Sequence, residues 1–188
     1  RRHDVYPLDD RRGEREVLLP ADSPQRGTHF DFPVPVTGIH KGSAPDFRGR
    51  SWTMQAELAS PRDGVITAFG GRFAGWSLYL KNGAVRFHYN YAGIEQTSIE
   101  GGALSPAATH LVGLSFSLQG DKSAEVVISV DGRETGRGRV PRTLRNVSHE
   151  TFDLGADLYT PVSPDYASPA SLGPALGRVM FEAEPFNH

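Results

Sequence analysis

The stretch Gly75–Tyr91, GWSLYLKNGAVRFHYNY, decides the fold. Trp76, Leu78 and Leu80 share one face of an incoming strand, and Val85, Phe87 and Tyr89 share one face of a return strand. Between them Asn82-Gly83 supplies the two positive-φ positions of a type I′ turn, whose twist matches that of the flanking strands. The segment is therefore a β-hairpin.

The same period of two extends outward. In SWTMQAEL, Trp52, Met54, Ala56 and Leu58 alternate with polar residues, the mark of a half-buried strand. GVITAFG (64–70) reads as a short buried strand, and further strands are expected at 94–100, 110–118 and 125–131. Asp131-Gly132 turns the last of these into 133–140, and 152–154 and 175–183 complete the set. Short strands, turn signals every 8 to 12 residues and no amphipathic helix predict an all-β, antiparallel two-sheet sandwich of concanavalin or jelly-roll type.

Residues 1–50 differ. Six prolines and scattered glycines break them into short apolar clusters, so they read as an extended N-terminal strap that packs on another surface. That surface is either the sandwich over 51–188 or a catalytic domain outside this chain. The Pro- and Ser-rich connection 155–174 is long for a compact domain, and such loops are functional, packed or mobile.

With 188 residues, a real core needs no staples. A net charge of -2 argues against nucleic acid or an anionic membrane as partner. No apolar run is long enough to span a bilayer, and the N-terminal residues lack the apolar core of a signal peptide. Cysteine is absent, which removes disulfides, thiolate metal sites and a thiol nucleophile but leaves the compartment open.

Motifs for catalysis are missing: no G-x-S-x-G, P-loop, H-E-x-x-H or EF-hand loop occurs. Glu182 and Glu184 share a strand face but lie beside Pro185 at the frayed end. Asp153, Asp157 and Asp165 have the hard oxygen ligands a Ca²⁺ ion wants, at spacings that fit no compact loop; turn and cap roles suit them better. His88, between Phe87 and Tyr89, is expected on the solvent side of its strand or against a ligand. GGRFAGW (70–76) can present Arg72 and Phe73 at the sheet rim beside Trp76.

Taken together, five motifs in order resemble the C-terminal region of large bacterial arylsulfatases. They are SAPDFRGRSWTMQAEL (43–58), GVITAFGGRFAGWSLYLKNG (64–83), VRFHYNYAGIE (85–95), ISVDGRETGRGRVPRT (128–143) and ETFDLGADLYTPVSPDY (150–166). The opening VYPLDDR (5–11) is similar to the segment where the catalytic domain of that family ends. The resemblance implies a parent hydrolase of sulfate esters that uses a formylglycine, made within Cys/Ser-Xaa-Pro-Xaa-Arg, and a divalent cation, Ca or Mg. Neither belongs to this chain: the nearest match, Ser43-Ala44-Pro45-Asp46-Phe47, has Phe47 where Arg is required. No catalytic residue, cofactor or metal is therefore expected here.

The implied partner is the sulfatase catalytic domain of the same polypeptide, with a sulfate-ester substrate nearby. The candidate contact residues are Arg72, Phe73, Trp76, His88, Tyr91, Asp157 and Tyr166. The chain departs from the family pattern at Ala74, Leu158 and Tyr159, in the loops that would reach toward the substrate. The alternative is an autonomous lectin-like module binding glycans through Trp76, Tyr89 and Tyr91.

Overall fold

A computed structural model describes residues 23–144 and 150–186. Twelve strands follow in order: β1 (His29–Phe32), β2 (Ile39–His40), β3 (Trp52–Ala59), β4 (Gly64–Gly71), β5 (Ala74–Lys81), β6 (Ala84–Tyr91), β7 (Glu95–Ala103), β8 (Thr109–Leu118), β9 (Ala124–Val130), β10 (Arg133–Val140), β11 (Thr151–Leu154) and β12 (Leu176–Ala183). They form two six-stranded antiparallel sheets, β1-β12-β3-β8-β9-β10 (the first sheet) and β2-β11-β4-β5-β6-β7 (the second). The expected sandwich is thus what the chain builds. Among the described residues no helix is long and apolar enough to cross a membrane.

The deciding hairpin is β5–β6, in register from Gly75↔Asn90 to Lys81↔Ala84. Asn82 and Gly83 have φ of 54° and 74°, as a type I′ turn requires. The Asp63 carboxylate accepts both of their amide protons, at 2.7 and 2.9 Å. Asp131-Gly132 repeats the geometry between β9 and β10.

β3 is buried and exposed in strict alternation, because one face meets the core and the other meets water. The core is rich in rings. Trp52 stacks on Phe116 at 5.3 Å and lies 4.7 Å from Trp76, and Phe47 reaches Trp52 at 5.0 Å and Phe181 at 5.1 Å. Phe47 comes from the strap, as do β1 and β2, which add one edge strand to each sheet. Within residues 23–50 the surface that the strap packs on is therefore the sandwich. The VYPLDDR motif lies outside the described residues.

β4 is buried along its whole length and β5 along all but its last residue, so their outer face is not solvated. The cause is the 155–174 connection, which lies over it. Val162 joins Val65, Ala68 and Tyr79 in a second apolar cluster, with Tyr166 and Ala170 packed against it. This loop is a cover for β4 and β5 of the second sheet.

Candidate functional site

Two regions draw together the residues singled out in the sequence. One is the polar interface beneath the covering loop; the other is a rim at one end of the sandwich.

Beneath the cover, the Tyr79 hydroxyl donates to Asp165 at 2.6 Å, and Arg86 reaches the same carboxylate at 3.2 Å. These two donors hold Asp165 below the usual carboxylate range, the Tyr79 contact counting most. Burial, with the neighbouring Asp165 charge, raises the Tyr79 phenol. Asp157, 1% exposed, accepts from Tyr166 at 2.6 Å and from the Val162 amide at 3.0 Å. Burial pushes its pKa up to about 6 against these two hydrogen bonds, helped by the charges of Asp153 and Glu150. The Tyr166 ring meets Tyr79 edge-on at 5.0 Å. Asp157 and Tyr166 are therefore partners of each other: their bond ties the covering loop to itself, with Asp157 buried and Tyr166 half-buried against Tyr79.

His88 also lies here. Its side chain points away from the core, as the alternation requires, yet the residue is 2% exposed because the cover closes over it. Its Nδ1 is 2.8 Å from the Ser98 hydroxyl, and desolvation lowers its pKa. The expectation of a solvent-side or ligand-contacting histidine is corrected by that burial. Trp76, 4% exposed, is corrected likewise: its indole is a core ring against Trp52 and Phe69. Tyr89, at 5% exposure, packs on Phe116 inside the core. Its hydroxyl accepts from the Leu144 amide at 2.8 Å, and burial pushes its pKa up to about 12.

The rim is made by the β4–β5 turn, the β6–β7 turn and the tip of the covering loop. The Arg72 amide donates to the Thr160 hydroxyl at 2.9 Å, and the Thr160 amide donates to Glu150 at 2.9 Å. The Asn90 side-chain amide donates to the Arg72 carbonyl at 2.8 Å and its oxygen accepts from Gly93 at 2.8 Å. One hydrogen-bonded frame therefore ties the three turns together. On it stand Phe73 (68% exposed), Ile94 (78%) and Tyr159 (63%), with the Arg72 guanidinium exposed beside them. Tyr91 is half-buried at the edge of this frame, with Arg142 5.3 Å over its ring. Sequence reasoning found Arg72 and Phe73 from the glycines around them. It missed Ile94, Thr160 and Glu150, whose roles depend on which turns the fold brings to the same end.

The strap arrives at that end too. Trp52, the first residue of β3, pairs with Ala183, whose amide bonds the Thr28 carbonyl at 2.7 Å, while its ring lies on Trp76. Trp76 is two residues into the strand that leaves the Arg72-Phe73 turn.

The acidic candidates do not converge. Asp153 accepts from the Gly38 amide and Thr151, while Asp157 and Asp165 turn to the separate partners given above. Among the described residues no group of three or more His, Asp or Glu side chains is arranged to hold a metal ion. Glu182 is exposed and pairs with His29 at 2.6 Å.

No family model matches the sequence, and no curated protein matches it. Solved structures do share the architecture. Domains LG4-5 of the mouse laminin alpha1 chain align at a TM-score of 0.50 and 15% identity, over 86% of this chain and 42% of that one. The LG1-3 region of the laminin alpha2 chain aligns at 0.48 and 14% identity, over 85% of this chain and 30% of that one. A native heptameric SAP-like pentraxin from Limulus polyphemus aligns at 0.42 and 12%, over 83% of this chain and 68% of that one. Of the three, the first supports a jelly-roll sandwich like that of the laminin LG domains, and at that identity it speaks for the fold alone. None of the three is a sulfatase.

Proposed function

We propose that this sandwich is a non-catalytic accessory domain that works by docking through its rim, and that what docks there is a sulfatase catalytic domain of the same polypeptide. The observation that carries docking is the rim itself. Three large apolar side chains stand exposed on a rigid frame of hydrogen bonds, at the end where the strap enters the sandwich. Apolar groups held in water by a rigid frame are the makings of an interface core. The sulfatase identity of the partner rests on the five sequence motifs. In that setting the exposed Arg72 would offer charge-assisted hydrogen bonds to a sulfate ester at the substrate entrance. The divalent cation and the formylglycine would belong to the catalytic domain.

Glycan binding is the second reading, favoured by the lectin-type fold. The platform of Trp76 and Tyr89 is inside the core, and the outer face of β4 and β5 is covered. A sugar would therefore have to use Phe73, Tyr91 and Tyr159 on the same rim.

Reading the frame upstream of Arg1 is the first test. An in-frame Cys/Ser-Xaa-Pro-Xaa-Arg motif supports the sulfatase reading. The catalytic segment so identified should then hydrolyse 4-nitrophenyl sulfate faster, or survive heating longer, with this sandwich than without it. Equal activity and stability with and without residues 51–188 would overturn the accessory role. Binding to a glycan array in the absence of any catalytic domain would favour the second reading.

A further inference from the structure

Arg50 is a deeply buried charge at the strap end of the molecule, 3% exposed just before β3. Its Nη1 donates to the Glu184 carbonyl at 3.1 Å and the Arg26 carbonyl at 3.4 Å. Its Nε and Nη2, both buried, have no partner among the described residues. Those two nitrogens are one side of the guanidinium, the fork whose paired N–H groups match two oxygens of a carboxylate.

The molecule uses that side elsewhere. Arg48 grips Asp46 through Nε at 2.7 Å and Nη2 at 2.9 Å. Arg137 holds Glu134 in the same way, at 2.8 and 2.6 Å, and Arg178 holds Asp31. Each of those forks carries a carboxylate, and Arg50 alone of these four does not. Leaving two donors of a buried cation unsatisfied is costly, so such a group marks a place where an acceptor belongs.

The surroundings select the acceptor. Arg50 lines a cavity of about 30 Å³ together with Arg48, Gly49, Trp52, Trp76 and Thr143. That is room for one or two water-sized groups, which suits the head of a carboxylate and excludes a sugar ring. The local charge is positive: Asp46 is the acid that acts on Arg50, its carboxylate is already engaged by Arg48, and Arg26 adds repulsion. Phe186 lies 4.3 Å over the face of the Arg50 guanidinium.

We propose that the Nε/Nη2 side of Arg50 is a carboxylate-binding site, filled by an Asp or Glu side chain of the domain that docks at this end. The identity of that donor rests on the docking reading; the site itself does not. A free carboxylate and a docked acidic side chain share the chemistry, and two arms separate them.

In the first arm the chain is heated in sodium formate and in sodium chloride at equal ionic strength. Formate at about ten times its dissociation constant should raise the unfolding midpoint by about 3–6 °C. Arg50→Lys keeps the charge but loses the fork, and should abolish the response. Arg178→Lys, which alters a fork already filled, should retain it. In the second arm the catalytic domain is titrated into wild-type and Arg50→Lys chains with matching near-UV circular dichroism, and affinity should fall at least tenfold. A formate response without docking keeps the site and sinks the docking reading. Loss of docking affinity without a formate response assigns the site to the side-chain source. Equal behaviour of wild type and Arg50→Lys in both arms overturns the proposal.

Discussion

Asp157 ties residue chemistry to pH. Its pKa in the fold is about 6, above the 3.8 of an unhindered aspartate, so the folded state binds the proton more tightly than the unfolded one. Its contribution to stability is full below about pH 4 and is lost as the pH rises through 6. Asp31, Asp121, Asp131 and Asp165 are lowered instead, so their stabilisation is lost only as the pH falls below the ordinary range. The two windows are separate. Asp157→Asn should therefore flatten the pH dependence of urea unfolding between pH 4 and 7, a span worth up to about 3 kcal/mol. An unchanged slope would mean that Asp157 titrates like a surface acid.

Ala92 is a second test at this scale. It sits in the β6–β7 turn at φ 53°, where a Cβ is disfavoured, and it is followed by Gly93 at 69°. Ala92→Gly should stabilise the chain by about 1 kcal/mol in denaturant melts, because the turn no longer forces a side chain into the left-handed region. A loss of stability would show that Ala92 is not strained. The sequence made the Asn-Gly and Asp-Gly turns legible, since their residue types declare a positive φ. Ala92 has no such signature, and only the strands on either side force it there.

Elements were legible where their cause is local. Alternation in β3 and β5–β6 follows from residues a few positions apart, so it could be read directly. Burial of His88 could not, because it depends on a loop some seventy residues later in the chain. Val162 and Tyr166, which anchor that loop, stand among prolines and serines that gave no periodic signal. Tyr79→Phe keeps the ring and removes the hydroxyl that meets Asp165, so it should cost about 1–2 kcal/mol in stability. It should also speed hydrogen exchange in residues 157–166. Faster exchange at β3 instead would place the weakness in the core.

The sheet edges show a second nonlocal cause. β7 and β10 are edge strands of different sheets and close against each other, with a Cβ at Gly136 falling 2.2 Å from the Glu100 carbonyl oxygen. Gly138 meets the Ile99 side chain in the same seam. In the sequence, RETGRGRV reads as the return strand of the Asp131-Gly132 hairpin; its glycines are there for close approach. Gly136→Ala should lower the thermal midpoint by several degrees, reflecting about 1–3 kcal/mol of overpacking.

At the scale of the whole molecule, one end gathers the strap, the Arg72-Phe73 turn, the Ala92-Gly93 turn and the tip of the cover. The other end carries the tight Asn82-Gly83 and Asp131-Gly132 turns. This polarity sets the surface on which a partner domain can act, and it could not be inferred until the strands were paired. The sulfatase identity proposed for the partner rests on the five sequence motifs.

Docking at the rim is the central claim, and amide hydrogen exchange of this chain with and without the catalytic domain tests it most directly. The rim predicts slowed exchange at residues 71–74, 92–95 and 158–161, no change at 82–83 and 131–132, and loss of the effect in Phe73→Asp. Protection at the 82–83 end, or none at either end, would contradict it.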